Sequence, residues 1–187
     1  MIDYGPFLFA APPRTGSTWF LKACYEVGLG EGFKSDVHTL FPPDARKLKV
    51  SLVRHPFNWL ISYFAAIQGG HTGIDCVDRL ASLDFSGTFV DFIRSYLEKT
   101  PGALTNIART YNADSYLRTE DLPWPFMELV EAAGISEQKA RRAVALGRQN
   151  PNKKSAAIRL AVTYPIHLYR DVMNAEKELT MWFEYHI

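Results

Sequence analysis

Residues 9–20, Phe-Ala-Ala-Pro-Pro-Arg-Thr-Gly-Ser-Thr-Trp-Phe, bring together the parts of an anion cradle. An apolar run passes two prolines, turns through Arg14, Thr15, Gly16, Ser17 and Thr18, and enters a segment with helical spacing. A strand, a turn and a helix start together present several backbone N–H groups that have no intrahelical acceptor. Gly16 lets the backbone approach a ligand closely. Ser17 and Thr18 add hydroxyl donors, and Arg14 adds a fixed charge whose fork suits anionic oxygens. The triphosphate loop G-x-x-x-x-G-K-[ST] needs Lys where Ser17 stands and Gly where Ala11 stands. Here the charge precedes the glycine instead, which disfavours a metal-dependent NTPase. An ordinary turn with a helix cap is the alternative reading of the stretch.

A second constellation stands in residues 51–64, Ser-Leu-Val-Arg-His-Pro-Phe-Asn-Trp-Leu-Ile-Ser-Tyr-Phe. Pro56 ends a strand, Arg54 projects from its carboxyl end, and Ser62 lies about one and a half turns into the following helix. Such a pair is suited to flank one phosphate. Taken alone, Arg54 reads as a surface arginine and Ser62 as a helix serine bonded back to a carbonyl.

The two stretches resemble the sulfotransferases that use 3′-phosphoadenosine 5′-phosphosulfate (PAPS). In that family a Lys or Arg stands two residues before a glycine, followed by two hydroxyl residues and often Trp. Arg14, Gly16, Ser17, Thr18 and Trp19 hold those places, with Thr15 between. The family's 3′-phosphate site, R-x-P-x-x-x-x-x-S, is matched by Arg54, Pro56 and Ser62. The resemblance implies that Arg14 and the loop amides hold the phosphosulfate, that Trp19 stacks on the adenine, and that Arg54 and Ser62 take the 3′-phosphate. It places Lys153 and Lys154, in the basic loop 148–156, as candidates to close over that phosphate. Residues 116–122, Tyr-Leu-Arg-Thr-Glu-Asp-Leu, look like a family strand ending in an acidic turn. Thr119 there replaces a Tyr that touches the adenine in cytosolic animal members.

The implied activity is transfer of the sulfuryl group from PAPS to a hydroxyl or amine of a small-molecule or glycan acceptor, leaving adenosine 3′,5′-bisphosphate. Sulfuryl transfer should resemble phosphoryl transfer, in line and with a loose transition state. Arginine and backbone donors then serve without a metal, and Arg14 would act on the charge developing at the bridging oxygen. His38, between the two motifs, is the first candidate for general base, where the resemblance places a histidine at the next strand's end. Asp36 and Glu31 are the carboxylate alternatives. His71 fits an acceptor-side loop, His55 is a neighbour of Arg54, and His167 and His186 look incidental. A PAPS-binding module without catalysis and an ATP-dependent P-loop kinase are the competing readings. Trp59, Tyr63 and Phe64 would line an aromatic acceptor pocket or fill the core.

These residues need a scaffold. The chain has 187 residues, 47% hydrophobic and 22% charged, which predicts one globular domain over 1–187. A formal charge of +1 gives no global field for nucleic acid or an anionic membrane, so an anion site has to be built locally. Cys24 and Cys76 fit no ligand spacing, predicting a reduced compartment and no structural zinc. No basic leader or membrane-length apolar run appears, so the expectation is a cytoplasmic, untethered protein.

Strands are predicted at 7–11, 48–53 and from 113, the last running into a loop by 122. Helices are predicted at 16–28, 57–68, 88–99, 125–134, 136–147 and 166–183. Strands interleaved with helices predict an α/β fold of three layers, with a central, mainly parallel sheet flanked by helices. The resemblance makes that fold P-loop NTPase-like. Ligands of such sheets lie at the carboxyl ends of the strands, where both motifs fall.

Overall fold

The computed structural model describes residues 1–30, 35–68, 80, 83, 87–145 and 165–185. The chain divides into two compact units, Met1–Arg54 with Arg109–Asn150, and His55–Ala108 with Pro151–Ile187.

The first unit is built on a four-stranded mixed sheet in the order β1-β2-β3-β4. These are β1 (Ile2–Asp3), β2 (Phe7–Phe9), β3 (Leu48–Val53) and β4 (Ser115–Arg118). β2, β3 and β4 run parallel, in register from Phe9 to Val50 and from Val53 to Arg118. β1 pairs antiparallel to β2, an edge too short to carry a sequence signal. Val50–Val53 are all buried, as expected for a strand covered on both faces, whose apolar run is continuous rather than alternating.

Helix α1 (Ser17–Glu26) leaves the loop that follows β2. Its Phe20 has no exposure and stacks on Phe9, ring centroids 4.0 Å apart. Phe126 closes edge-on over Phe20 at 5.6 Å. Burying a phenylalanine to this degree is worth about 1.5–3 kcal/mol. The three rings therefore fix the start of α1 against the carboxyl half of β2. Cys24 is buried in the same core, and burial pushes its thiol and the Tyr4 hydroxyl beside it up from their ordinary values. A buried, protonated thiol of this kind is inert packing.

The second unit begins with α2 (Pro56–Gln68) and continues with α3 (Phe89–Lys99) and α4 (Ala103–Tyr111), the last running back into the first unit. Pro56 opens α2, where a missing N–H costs nothing, and Trp59 N–H donates to His55 O at 2.9 Å. Thr88 and Asp91 cap α3 reciprocally, side chain to backbone in both directions. Asn112, at φ 43°, stops α4. The sequence reading did not include that helix, although Ala103, Leu104, Ile107, Ala108 and Tyr111 recur at helical spacing and are buried on one face.

The chain then forms β4, α5 (Pro123–Ala132) and α6 (Glu137–Ala145) in the first unit. α6 packs on α1 and α5 through Ala140 and Ala143. Ser136 O accepts from the N–H groups of Lys139 and Ala140, at the helix start expected for it.

The C-terminal segment corrects the reading of one helix over 166–183. It is two helices, α7 (Ile166–Ala175) and α8 (Lys177–Trp182), broken at Glu176, φ −103° and ψ 29°. The break has a cause inside the second unit. Glu176 is fully buried, and its carboxylate accepts from Tyr96 Oη of α3, Leu104 N (3.2 Å), Thr105 N (2.7 Å) and Thr105 Oγ1 (2.6 Å). It thus serves the uncapped first turn of α4.

Candidate functional site

The Pro12–Gly16 loop lies at the carboxyl end of β2, and its backbone is unusual at two residues. Arg14 has φ 69° and Gly16 φ 93°, both left-handed. Gly16 adopts this conformation at no steric cost, whereas Arg14 gives up roughly 1–2 kcal/mol. Such a conformation persists only where its surroundings over-determine it, and three side-chain hydrogen bonds do so.

Thr15 is fully buried, and its Oγ1 donates to Pro12 O at 2.6 Å. Arg54 Nη1 donates to Arg14 O at 2.9 Å. Thr119 Oγ1 bonds Thr15 O and also lies 2.7 Å from Val53 O.

Among the described residues all peptide bonds are trans, so each carbonyl turned inward sends the next residue's N–H the opposite way. With Arg14 O and Thr15 O held by Arg54 and Thr119, the N–H groups of Thr15 and Gly16 point away from them. α1 follows with no side-chain cap at Gly16, so the N–H groups of Ser17 and Thr18 have no intrahelical acceptor. Among the described residues, none of these four N–H groups meets a protein acceptor. Consecutive amides without a protein acceptor, next to a helix's positive end, are a candidate for anion binding. Thr18 is exposed and Arg14 half-buried at its rim.

The two sequence motifs therefore meet, at Arg54 and Arg14, across the carboxyl ends of adjacent parallel strands. Arg54 is half-buried, and its Nη1 is the donor that holds Arg14 O. Trp19 is half-buried and meets Phe126 edge-on at 5.4 Å, which fixes its ring beside the start of α1. Thr15 is fully buried with its hydroxyl turned inward to Pro12 O, so it braces the loop from within.

His38 ends a 3₁₀ turn, Ser35–His38, rather than the strand that the resemblance suggests. The turn is clipped to the end of β2 by Ala11 N–H donating to Val37 O at 2.9 Å. His38 Nδ1 lies 2.7 Å from Ala11 O, one residue before the loop begins. A carbonyl only accepts, so Nδ1 carries a proton, and in the neutral tautomer that this selects the lone pair is on Nε2. Tyr111 Oη donates to His38 O at 3.0 Å and holds the residue from behind.

Other expected residues belong to the second unit or to the turns around the loop. Ser62 is buried in α2 of the second unit. Trp59, Tyr63 and Phe64 are buried in the same helix. His55 stacks on Tyr169 with its Nε2 3.1 Å from the phenol oxygen, and His167 is exposed on α7. Lys153, Lys154, Glu31, His71, His186 and Cys76 lie outside the described residues, and Asp36 falls in the 3₁₀ turn. Asp121 forms an ion pair with Arg118 at 3.1 Å, so this half of the acidic Glu-Asp pair serves the turn after β4.

Comparison with protein-family models, with curated proteins and with solved structures returned no match. Function therefore has to be argued from the site itself. Among the described residues no group of three or more His, Cys, Asp and Glu is placed to hold a metal ion. No described helix is long and apolar enough to cross a membrane.

The sequence reading missed Thr119 as part of the loop, registering it only as a departure from a pattern. A threonine after a strand carries no signal of its own. Its role depends on a loop more than a hundred positions earlier.

Proposed function

We propose that the chain is a PAPS-dependent sulfotransferase on a P-loop-like α/β scaffold, moving a sulfuryl group to a hydroxyl or amine of a small-molecule or glycan acceptor. One observation carries the reading: Arg54 of the R-x-P motif donates to the carbonyl of Arg14 in the P-P-R-T-G-S-T loop. Two stretches forty positions apart, each matched to anion binding by its residue types, share one hydrogen bond at adjacent strand ends.

The donor set fits the substrate. The amides of Gly16, Ser17 and Thr18, the Ser17 and Thr18 hydroxyls and the Arg14 guanidinium are of the types that suit the equatorial oxygens of a phosphosulfate. A monoanionic sulfuryl group places less charge in the site than a terminal phosphate, and a cation set without magnesium suits it. Trp19 supplies an aromatic face near the loop for the adenine, and Arg54 supplies positive charge toward the 3′-phosphate. In the transfer, the bond between sulfur and the bridging oxygen breaks, and that oxygen leaves with adenosine 3′,5′-bisphosphate. A new sulfur–oxygen or sulfur–nitrogen bond forms to the acceptor, whose proton passes to His38 Nε2. Arg14 and the loop amides stabilise charge on the departing phosphate.

The test is ligand-dependent unfolding. Adenosine 3′,5′-bisphosphate should raise the thermal midpoint, and ATP with Mg²⁺ should not; the reverse result rejects the proposal in favour of a kinase. Stabilisation by the bisphosphate without its release from PAPS, across a panel of phenols, sugars and amines, rejects the enzyme in favour of a binding module.

A further inference from the structure

Three side chains hold the anion loop, but only two of them belong to the motifs that mark it. Thr15 is within the loop and Arg54 is within the second motif, while Thr119 comes from the end of β4. We propose that Thr119 is the positioning residue that aims the Gly16 amide at the bound anion. This rests on reading the loop as an anion site.

The bonding around Thr119 shows what its hydroxyl is for. Val53 O already receives the Thr119 backbone N–H at 2.8 Å. The hydroxyl has one proton and reaches both Val53 O and Thr15 O. Thr15 O has Thr119 Oγ1 as its donor among the described residues, so the proton is needed there. Fixing Thr15 O fixes the Thr15–Gly16 peptide plane, and with it the direction of the Gly16 N–H.

The methyl group does a second job. A Cβ on Gly16 would lie 3.0 Å from Thr119 Cγ2, so the methyl backs the glycine at contact distance. Together they tie the loop after β2 to the ends of both β3 and β4. The consequence for the reaction is orientation: Thr119 touches no substrate and acts through a peptide plane.

Two substitutions separate the hydroxyl from the methyl. Thr119→Val keeps the shape and removes the donor, while Thr119→Ser keeps the donor and removes the methyl. Calorimetric titration with adenosine 3′,5′-bisphosphate, read beside the ¹⁵N–¹H shift of the Gly16 amide, is the measurement. The valine variant should bind about tenfold more weakly, the effect of one lost charge-assisted contact, with the ligand-induced Gly16 shift lost. The serine variant should restore both. Thr119→Cys, a weak donor of similar volume, should fall between them and serves if the valine variant does not fold. Wild-type affinity and Gly16 shift in the valine variant, or in the cysteine variant standing in for it, overturn the proposal. So does a serine variant as weak as the valine one, which would assign the effect to the methyl. Wild-type protein whose Gly16 amide responds to neither the bisphosphate nor inorganic sulfate rejects the anion site itself, a result distinct from the other two.

Discussion

At the scale of single residues, chemistry at this site is set by which hydrogen-bonding partners are already committed. His38 gives its Nδ1 proton to Ala11 O, so its only basic position is Nε2. His38→Gln should therefore lower turnover by about 10²–10⁴, the usual contribution of a positioned base. Adenosine bisphosphate affinity, measured by calorimetry on the same variant, should stay within a small factor of wild type. Full activity in the variant would assign the proton to another group, Asp36 or Glu31. Gly16 is fixed by a different constraint. Its φ of 93° and the 3.0 Å approach of Thr119 Cγ2 to an added Cβ act together. Gly16→Ala should cost about 1–2 kcal/mol in urea unfolding. It should also remove bisphosphate binding, because relief of the strain moves the amides.

At the scale of elements, helix ends matter more than helix middles. α1 starts uncapped by any side chain, and the proposed function gives its positive end to the ligand. α4 starts on a buried carboxylate, which closes its end to one. Glu176 holds that position through four donors, and burial raises its pKa above the ordinary glutamate value. A raised folded-state value means that the folded chain holds the proton more tightly than the unfolded one. This contribution is complete below the unfolded value of about 4.3, and it is lost as the pH rises through the folded value. Glu176→Gln should flatten the stability–pH curve across that window, read by urea midpoints at several pH values. Glu176→Ala should cost about 2–4 kcal/mol, because the Tyr96 hydroxyl and the Thr105 donors lose their acceptor in a dry site. A loss under 1 kcal/mol would show that water replaces the carboxylate.

At the scale of the whole chain, charge is nearly balanced, and the proposed anion site is local. A formal charge of +1 supplies no long-range steering. Stopped-flow association of adenosine 3′,5′-bisphosphate should therefore change by less than about tenfold between low and physiological salt. A steeper dependence would point to a basic surface beyond Arg14 and Arg54.

The sequence alone determined the strands β2, β3 and β4, most helices and both motifs, because each rests on local patterns. Apolar runs, helical periodicity, a proline at a helix start and a glycine between an arginine and two hydroxyls all act over a few residues. It also singled out Arg14, Gly16, Arg54 and His38. What it could not determine depends on groups far apart in the chain. The Arg54 bond to Arg14 spans forty positions and Thr119 reaches back to Thr15 across 104. The helix break at Glu176 answers donors on Tyr96, Leu104 and Thr105. The first turn of α4 is completed by that same carboxylate. Only the tertiary structure decided these, because a hydrogen bond chooses its partner by position in space, and no periodicity along the chain encodes which distant carbonyl a threonine will meet.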